Sequence, residues 1–201
     1  MELFTNYIDK GGLIFIILVC ISVFTLAIVL YKLVEYLFFN QLRLDNFEKK
    51  LDDYTGFQKL KDDINSYENI SENSFIVKLL NVIESDRKTD SNIKTKSFLE
   101  EEFRKSERFL PSLEIISQTS PLVGLLGTVI GMIDSFNQLE LGGSVVDPSV
   151  LAGGIWTALL TTAMGLIVAI PALIFYFFFD KQISSDQDRT QSIALKILEM
   201  N

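Results

Sequence analysis

The side chains able to do chemistry in the apolar parts of this chain are hydroxyls. Thr128 and Thr162 each stand well inside a stretch that lacks Asp, Glu, Lys and Arg, on a narrow face of small residues. A threonine hydroxyl there can bond a carbonyl of its own helix, or it can line a narrow hydrated path for an ion. Periodicity leaves both readings open. Other chemistries are excluded by composition. The chain has no histidine, so it has no imidazole base, no Cys–His or Ser–His nucleophile and no His-ligated zinc. Its single cysteine, Cys20, can form neither an internal disulfide nor a metal cluster. A net charge of −8 argues against a nucleic-acid partner, and nothing calls for a cofactor other than a transported ion. The acid nearest the interior of any apolar run is Asp134, at the outer end of the second one. A bundle that moves protons by itself normally carries an intramembrane carboxylate. Either this chain conducts nothing, or the titrating group comes from another chain.

Three elements must position these hydroxyls. Gly11–Tyr31, Ile115–Ile133 and Pro148–Phe179 contain no Asp, Glu, Lys or Arg and run 21, 19 and 32 residues. About 20 apolar residues span a bilayer core as helix. The expected architecture is therefore an all-α membrane protein with three transmembrane helices and long cytoplasmic helical extensions. Fourteen of the 18 Lys and Arg residues lie between Lys32 and Arg108, and none lies between Asp134 and Pro148. The positive-inside rule then puts the middle domain and the tail in the cytoplasm and the N-terminus outside. Aromatic residues leave the spans at Tyr31, Tyr36, Phe38 and Phe39, and again at Phe175–Phe179, as interfacial belts do. Glu2, Asp9 and Lys10 before the first run are unlike the basic start of a signal peptide, so that run is expected to stay as an anchor. The resulting division is a periplasmic N-terminus (1–12), spans at 13–36, 114–137 and 151–179, a cytoplasmic helical domain (37–113), a periplasmic loop (138–150) and a cytoplasmic tail (180–201).

Rotation by about 100° per residue sorts the later spans into faces. In the second, Ser117, Ser120, Pro121, Gly124, Gly127, Thr128, Gly131, Ser135 and Gln138 share one side, with Leu122, Leu126, Val129, Ile130 and Ile133 opposite. In the third, Gly154, Ala158, Thr161, Thr162, Gly165, Ala169 and Ala172 share one side, with Trp156, Leu159, Leu166, Ile167 and Ile170 behind. Small faces pack helices closely, as in Gly127-xxx-Gly131, and bulky faces suit lipid. Thr128, Thr161, Thr162 and Ser135 are the candidates to line a path. Gly124, Gly127, Gly131, Gly154, Ala158, Gly165 and Ala169 are the candidates to pack around it, and Asp134 is a candidate acid at its outer end.

The middle domain reads as helix. Leu44, Phe47, Leu51 and Tyr54 recur at helical spacing, as do Phe57, Leu60, Ile64 and Tyr67 after Gly56. These stripes serve subunit docking or the packing of a helical hairpin. A break near Asn69–Asn73 precedes the apolar cluster Phe75–Ile83, and polar Ser85–Lys96 is expected to be a turn or a frayed helix end. From Phe98 a helix is expected to run without interruption into the second span, with Glu100–Arg104 and Glu101–Lys105 as ion pairs.

Two segments carry a family resemblance. Ser120-Pro-Leu-Val-Gly-Leu-Leu-Gly-Thr-Val-Ile-Gly131 resembles the second-span motif of the ExbB/TolQ branch of the MotA/TolQ/ExbB proton channels. Ala158-Leu-Leu-Thr-Thr-Ala-Met-Gly-Leu-Ile-Val-Ala-Ile-Pro-Ala172 resembles the third-span motif. Flagellar stator subunits have four spans, so this three-span chain is similar to the ExbB/TolQ side. The resemblance implies a ring, a homopentamer in the bacterial inner membrane, enclosing two single-span ExbD- or TolR-like helices. Each of those supplies a membrane aspartate that takes and releases protons, driving a TonB- or TolA-like effector. It also implies that Thr128 and Thr162 face the pore. One departure is Trp156-Thr157, where many ExbB-like chains carry a glutamate. Proton access there would rely on water, on Asp134 or on the partner. The competing expectation is a non-conducting scaffold whose small faces only hold helices together.

Overall fold

The computed structural model describes residues 2–39, 56–66, 75–87, 92–141 and 148–200, and among them it contains helices and no strand. The helices are α1 (Glu2–Phe39), α2 (Phe57–Ser66), α3 (Phe75–Arg87), α4 (Ile93–Ser106), α5 (Leu110–Leu141) and α6 (Pro148–Glu199). The stripe from Leu44 to Tyr54, Tyr67, the Asn69–Asn73 break and the Gly142–Gly143 loop lie outside the described residues. Among the described residues, three helical stretches are long and apolar enough to cross a membrane: Gly12–Tyr36, Leu110–Leu141 and Leu151–Glu199. The chain divides into two units, and α6 contributes residues 148–179 to the first and 180–199 to the second.

The first unit takes α1 as far as Glu35, α5, and α6 as far as Phe179. Gly12, at φ 61°, interrupts α1 with a left-handed residue that only glycine adopts without strain. Beyond it, Ile14, Phe15, Leu18, Thr25, Ile28, Val29 and Lys32 form one buried face. The Lys32 ammonium is buried yet lies 2.7 Å from Glu35, one turn on. That pairing lets a charge sit at the edge of an apolar span, since an unpaired buried ion is costly.

The second unit, Tyr36–Arg108 with residues from Asp180 on, has a core of another kind. Phe57 and Leu60 of α2, Ile76, Leu79, Leu80 and Ile83 of α3, Leu99 of α4, and Ile193, Ala194 and Ile197 of α6 form one buried cluster. Hydrophobic burial holds such a bundle in water, at about 1.5–3 kcal/mol for each large side chain. Arg87 ties it further. Its guanidinium lies 4.6 Å over the Phe57 ring and donates to the Leu198 carbonyl at 3.4 Å, at the C-terminal end of α6. Lys61 of α2 pairs with Glu84 of α3. The segment from Asp180, expected as a tail, is thus helix to Glu199 and supplies three core side chains.

Two local expectations are corrected. The helix from Phe98 does not run into the second span: α4 ends at Ser106, and Phe109 takes φ 70° before α5 restarts at Leu110. Pro111 suits the restart: in the first turn of α5 its missing N–H needs no partner. The break itself is made at Phe109, since α5 and α6 run on through Pro121 and Pro171. Phe109 is steadied edge-on against Tyr31, with ring centroids 5.5 Å apart. The polar break over Ser85–Lys96 is also narrower than expected, because α3 reaches Arg87 and α4 starts at Ile93. Buried Asp86 accepts from the backbone N–H of Thr95 at 2.7 Å and of Lys94 at 3.3 Å, capping α4 where Asn92 makes no side-chain bond. Of the two expected ion pairs, Glu101–Lys105 is formed at 3.0 Å, and Lys105 also reaches Glu102 at 2.8 Å.

Candidate functional site

The small faces of α5 and α6 meet inside the first unit. On α5 the buried positions include Ser117, Ser120, Gly124, Gly127 and Ser135, and on α6 they include Ala158, Thr161, Gly165, Ala169 and Ala172. The bulky backs, among them Leu122, Val129 and Ile133 on α5 and Trp156, Leu159 and Ile167 on α6, are exposed. With no hydrophobic drive between helices in lipid, close backbone approach has to supply the packing.

Glycine makes that approach. A Cβ at Gly124 would lie 2.8 Å from the Thr161 carbonyl oxygen, and one at Gly165 would lie 2.6 Å from that of Ser120. At Gly127 it would meet the Thr161 side chain at 2.5 Å, and at Gly154 it would overlap Ser135. Gly131 is looser, with its nearest neighbours, in Ala158 and Gly154, at 3.5 Å. These contacts fix an antiparallel register in which Gly124 sits beside Thr161 and Gly131 beside Ala158. Thr128 and Thr162 then differ in depth by about one helical turn of 5.4 Å.

The candidate hydroxyls fall into two groups. Thr161, 1% exposed, and Ser135, 3% exposed, lie in the seam between the helices. Ser135 donates to the Gly131 carbonyl at 2.9 Å, and Thr161 donates to that of Ala158 at 2.8 Å with that of Gly124 at 3.3 Å. Thr128 and Thr162 lie at its margin, half-buried. Thr128 donates to the Leu125 carbonyl at 2.6 Å, and Thr162 reaches that of Gly124 at 3.4 Å. A hydroxyl that donates to a carbonyl keeps its oxygen lone pairs, so both marginal threonines remain able to accept a proton donor. Asp134 is exposed on the last turns of α5. Trp156 is exposed, and Thr157 donates to the Gly153 carbonyl at 3.1 Å.

The Gly124 carbonyl was not among the sequence candidates. A backbone acceptor has no side chain to announce it, and the only sequence signal was the glycine that lets α6 come near.

Helices, membrane-length apolar stretches and a glycine-built seam carrying hydroxyls define a multi-pass α-helical membrane protein. Residues 66–192 match the MotA/TolQ/ExbB proton channel family, and the chain belongs to that family, on its ExbB/TolQ side. It is similar to an ExbB-like biopolymer transport protein of Synechocystis, 36% identical over 112 residues that cover 53% of each chain. It is also similar to the biopolymer transport protein ExbB of Salmonella typhimurium, 41% identical over 43% of this chain and 35% of that one. An ExbB-like protein of Helicobacter pylori is 29% identical over 88% of this chain and 87% of its own length. The matches to the Synechocystis and Salmonella proteins thus span about half and a third of those relatives. The family is one of channels associated with transport, not one of enzymes.

Proposed function

We propose that this chain is a proton-channel, stator-like subunit of a bacterial inner-membrane motor, oriented with its N-terminus in the periplasm and its C-terminus in the cytoplasm. Several copies, five by family analogy, surround two single-span ExbD- or TolR-like helices. The proton motive force acting on the membrane aspartate of those helices energises a TonB-like uptake system or a TolA-like envelope process. The transported ion is the proton, and no other cofactor is invoked.

The observation that carries this reading is the pair Thr128 and Thr162, half-buried and about one turn apart in depth on two helices. Neither α5 between Glu114 and Asp134 nor α6 between Asp147 and Asp180 holds a charge of its own. A partner carboxylate at that depth is costly to ionise unless something solvates it. A hydroxyl bonds the ionised carboxyl as donor and the neutral one as acceptor, so it serves both halves of a proton hop. The scaffold reading draws on a different observation: Thr161 and Ser135 spend their hydroxyls on carbonyls inside the seam.

Substitution at Thr162 separates the two. Valine keeps the shape and loses the hydroxyl, while serine keeps the hydroxyl. Thr162→Val should assemble with its partners yet lose more than about tenfold of proton flux, since a hydrogen bond to a charged group contributes about 1.5–3 kcal/mol. Thr162→Ser should retain most of it. An active valine variant beside an inactive serine variant would make Thr162 a packing residue, and a native complex without proton flux would establish the scaffold instead.

A further inference from the structure

We propose that Thr161 is a positioning residue that sets whether the Thr162 hydroxyl donates into the helix seam or away from it. The proposal rests on the proton-path reading above. Inside α5 the Gly124 carbonyl accepts the helical N–H of the residue four positions on, which leaves one lone pair for an outside donor. Two hydroxyls stand near that lone pair, Thr161 at 3.3 Å and Thr162 at 3.4 Å. Each has one proton to give. Thr161 also has the Ala158 carbonyl at 2.8 Å.

Two arrangements follow from rotation of hydroxyl protons alone. With Thr161 on Ala158, the Gly124 carbonyl takes the Thr162 proton, and Thr162 offers only lone pairs to a neighbour. That state suits a protonated carboxyl. With Thr161 turned to Gly124, the carbonyl is satisfied, and Thr162 is released to donate its proton elsewhere. That state suits an ionised carboxylate. Thr161 at 1% exposure cannot meet the carboxyl itself, so it acts through Thr162. The glycines hold the parts in place. A side chain at Gly124 would strike the Thr161 carbonyl at 2.8 Å, and one at Gly127 would strike the Thr161 hydroxyl at 2.5 Å. No Asp, Glu, Lys or Arg occurs on α5 between Glu114 and Asp134, on α6 between Asp147 and Asp180, or on α1 between Lys10 and Lys32. The titratable side chains of these stretches are the thiol of Cys20 and the phenols of Tyr31 and Tyr176, groups that ordinarily titrate at about 8.5 and above, so the pH dependence of flux below about pH 8 reports the partner carboxyl.

The test uses the complex purified with its native membrane partners and reconstituted in liposomes that enclose the pH dye pyranine. Proton flux under a potassium diffusion potential is measured against pH. In Thr161→Val the Gly124 carbonyl has only the Thr162 proton to accept, so the ionised carboxyl loses its donor. Its half-titration pH should rise by about one unit, equivalent to a tenfold change in its ionisation. Thr161→Ala, smaller than the native residue and favourable in a helix, should shift it in the same direction, which covers the case of a valine variant that fails to assemble. Thr161→Ser should keep the native midpoint. A packing role alone would change the amount of complex or scale flux equally at every pH. An unmoved midpoint in Thr161→Val and Thr161→Ala, or a moved one in Thr161→Ser, overturns the proposal. Absence of flux in the native complex, or full flux in Thr162→Val, instead overturns the proton-path reading on which it rests.

Discussion

At the level of single residues, two buried polar groups are used in opposite ways. Thr161 has more acceptors within reach than protons to give, which leaves it free to change partner. Asp86 is locked. Burial pushes its carboxyl up, but the backbone N–H of Thr95, with the N–H and charge of Lys94, outweighs that and holds it below its ordinary value of 3.8. The ionised form is therefore the one that caps α4. Asp86→Ala should destabilise the helical bundle by about 1–3 kcal/mol, the cost of leaving buried donors unmet, with the earliest loss of amide protection at Lys94 and Thr95 in hydrogen exchange. Because the folded value is lowered, the contribution is complete above pH 3.8 and is lost as the pH falls through the folded value. The gap between native and variant should be equal at pH 6 and pH 8 and should close only in acid.

For the helices themselves, the α5–α6 seam ranks its glycines. Gly127 faces the Thr161 side chain and Gly165 faces the Ser120 backbone, both closer than any real Cβ could approach. Gly127→Ala and Gly165→Ala should each cost about 1–3 kcal/mol as the helices are forced apart, read as a lower melting midpoint of the detergent-solubilised protein. Gly131→Ala meets only ordinary contacts at 3.5 Å, and Gly153 has open space around it. Alanine at either should be neutral or stabilise by up to about 1 kcal/mol through helix propensity. If all four behaved alike, the seam would not be set by glycine contacts in this register.

On the scale of the whole chain, orientation and activity can be tested separately. The fourteen-to-none distribution of basic residues between the segments 32–108 and 135–147 motivates the first test. In a Cys20→Ser background, an impermeant thiol reagent added outside should label Gly143→Cys and leave Ser91→Cys untouched in intact spheroplasts. The reverse pattern would invert the topology. The second test follows from the absence of acids between Glu114 and Asp134 and between Asp147 and Asp180: liposomes holding this protein alone should leak protons no faster than empty ones. A leak without partners would place the titrating group in this chain.

Charge-free runs long enough to cross a bilayer, and small residues at helical spacing, are properties of local sequence, so the helical membrane class and both small faces were legible from residues alone. The family was legible too, because Ser120–Gly131 and Ala158–Ala172 retain a pattern that packing demands. The helix break at Phe109 was not legible, because a proline does not by itself end a helix in this chain, as Pro121 and Pro171 show, and charge pairing suggested a continuous helix. What could not be read was which threonine of an adjacent pair turns inward. Thr161 and Thr162 differ by 100° of helix rotation, and only the approach of α5, glycine against glycine, buries the first and leaves the second at the margin. The role of Asp86 was hidden for the same reason. Its ligands are backbone N–H groups of another helix, and their positions depend on how the chain returns and not on which residues it contains.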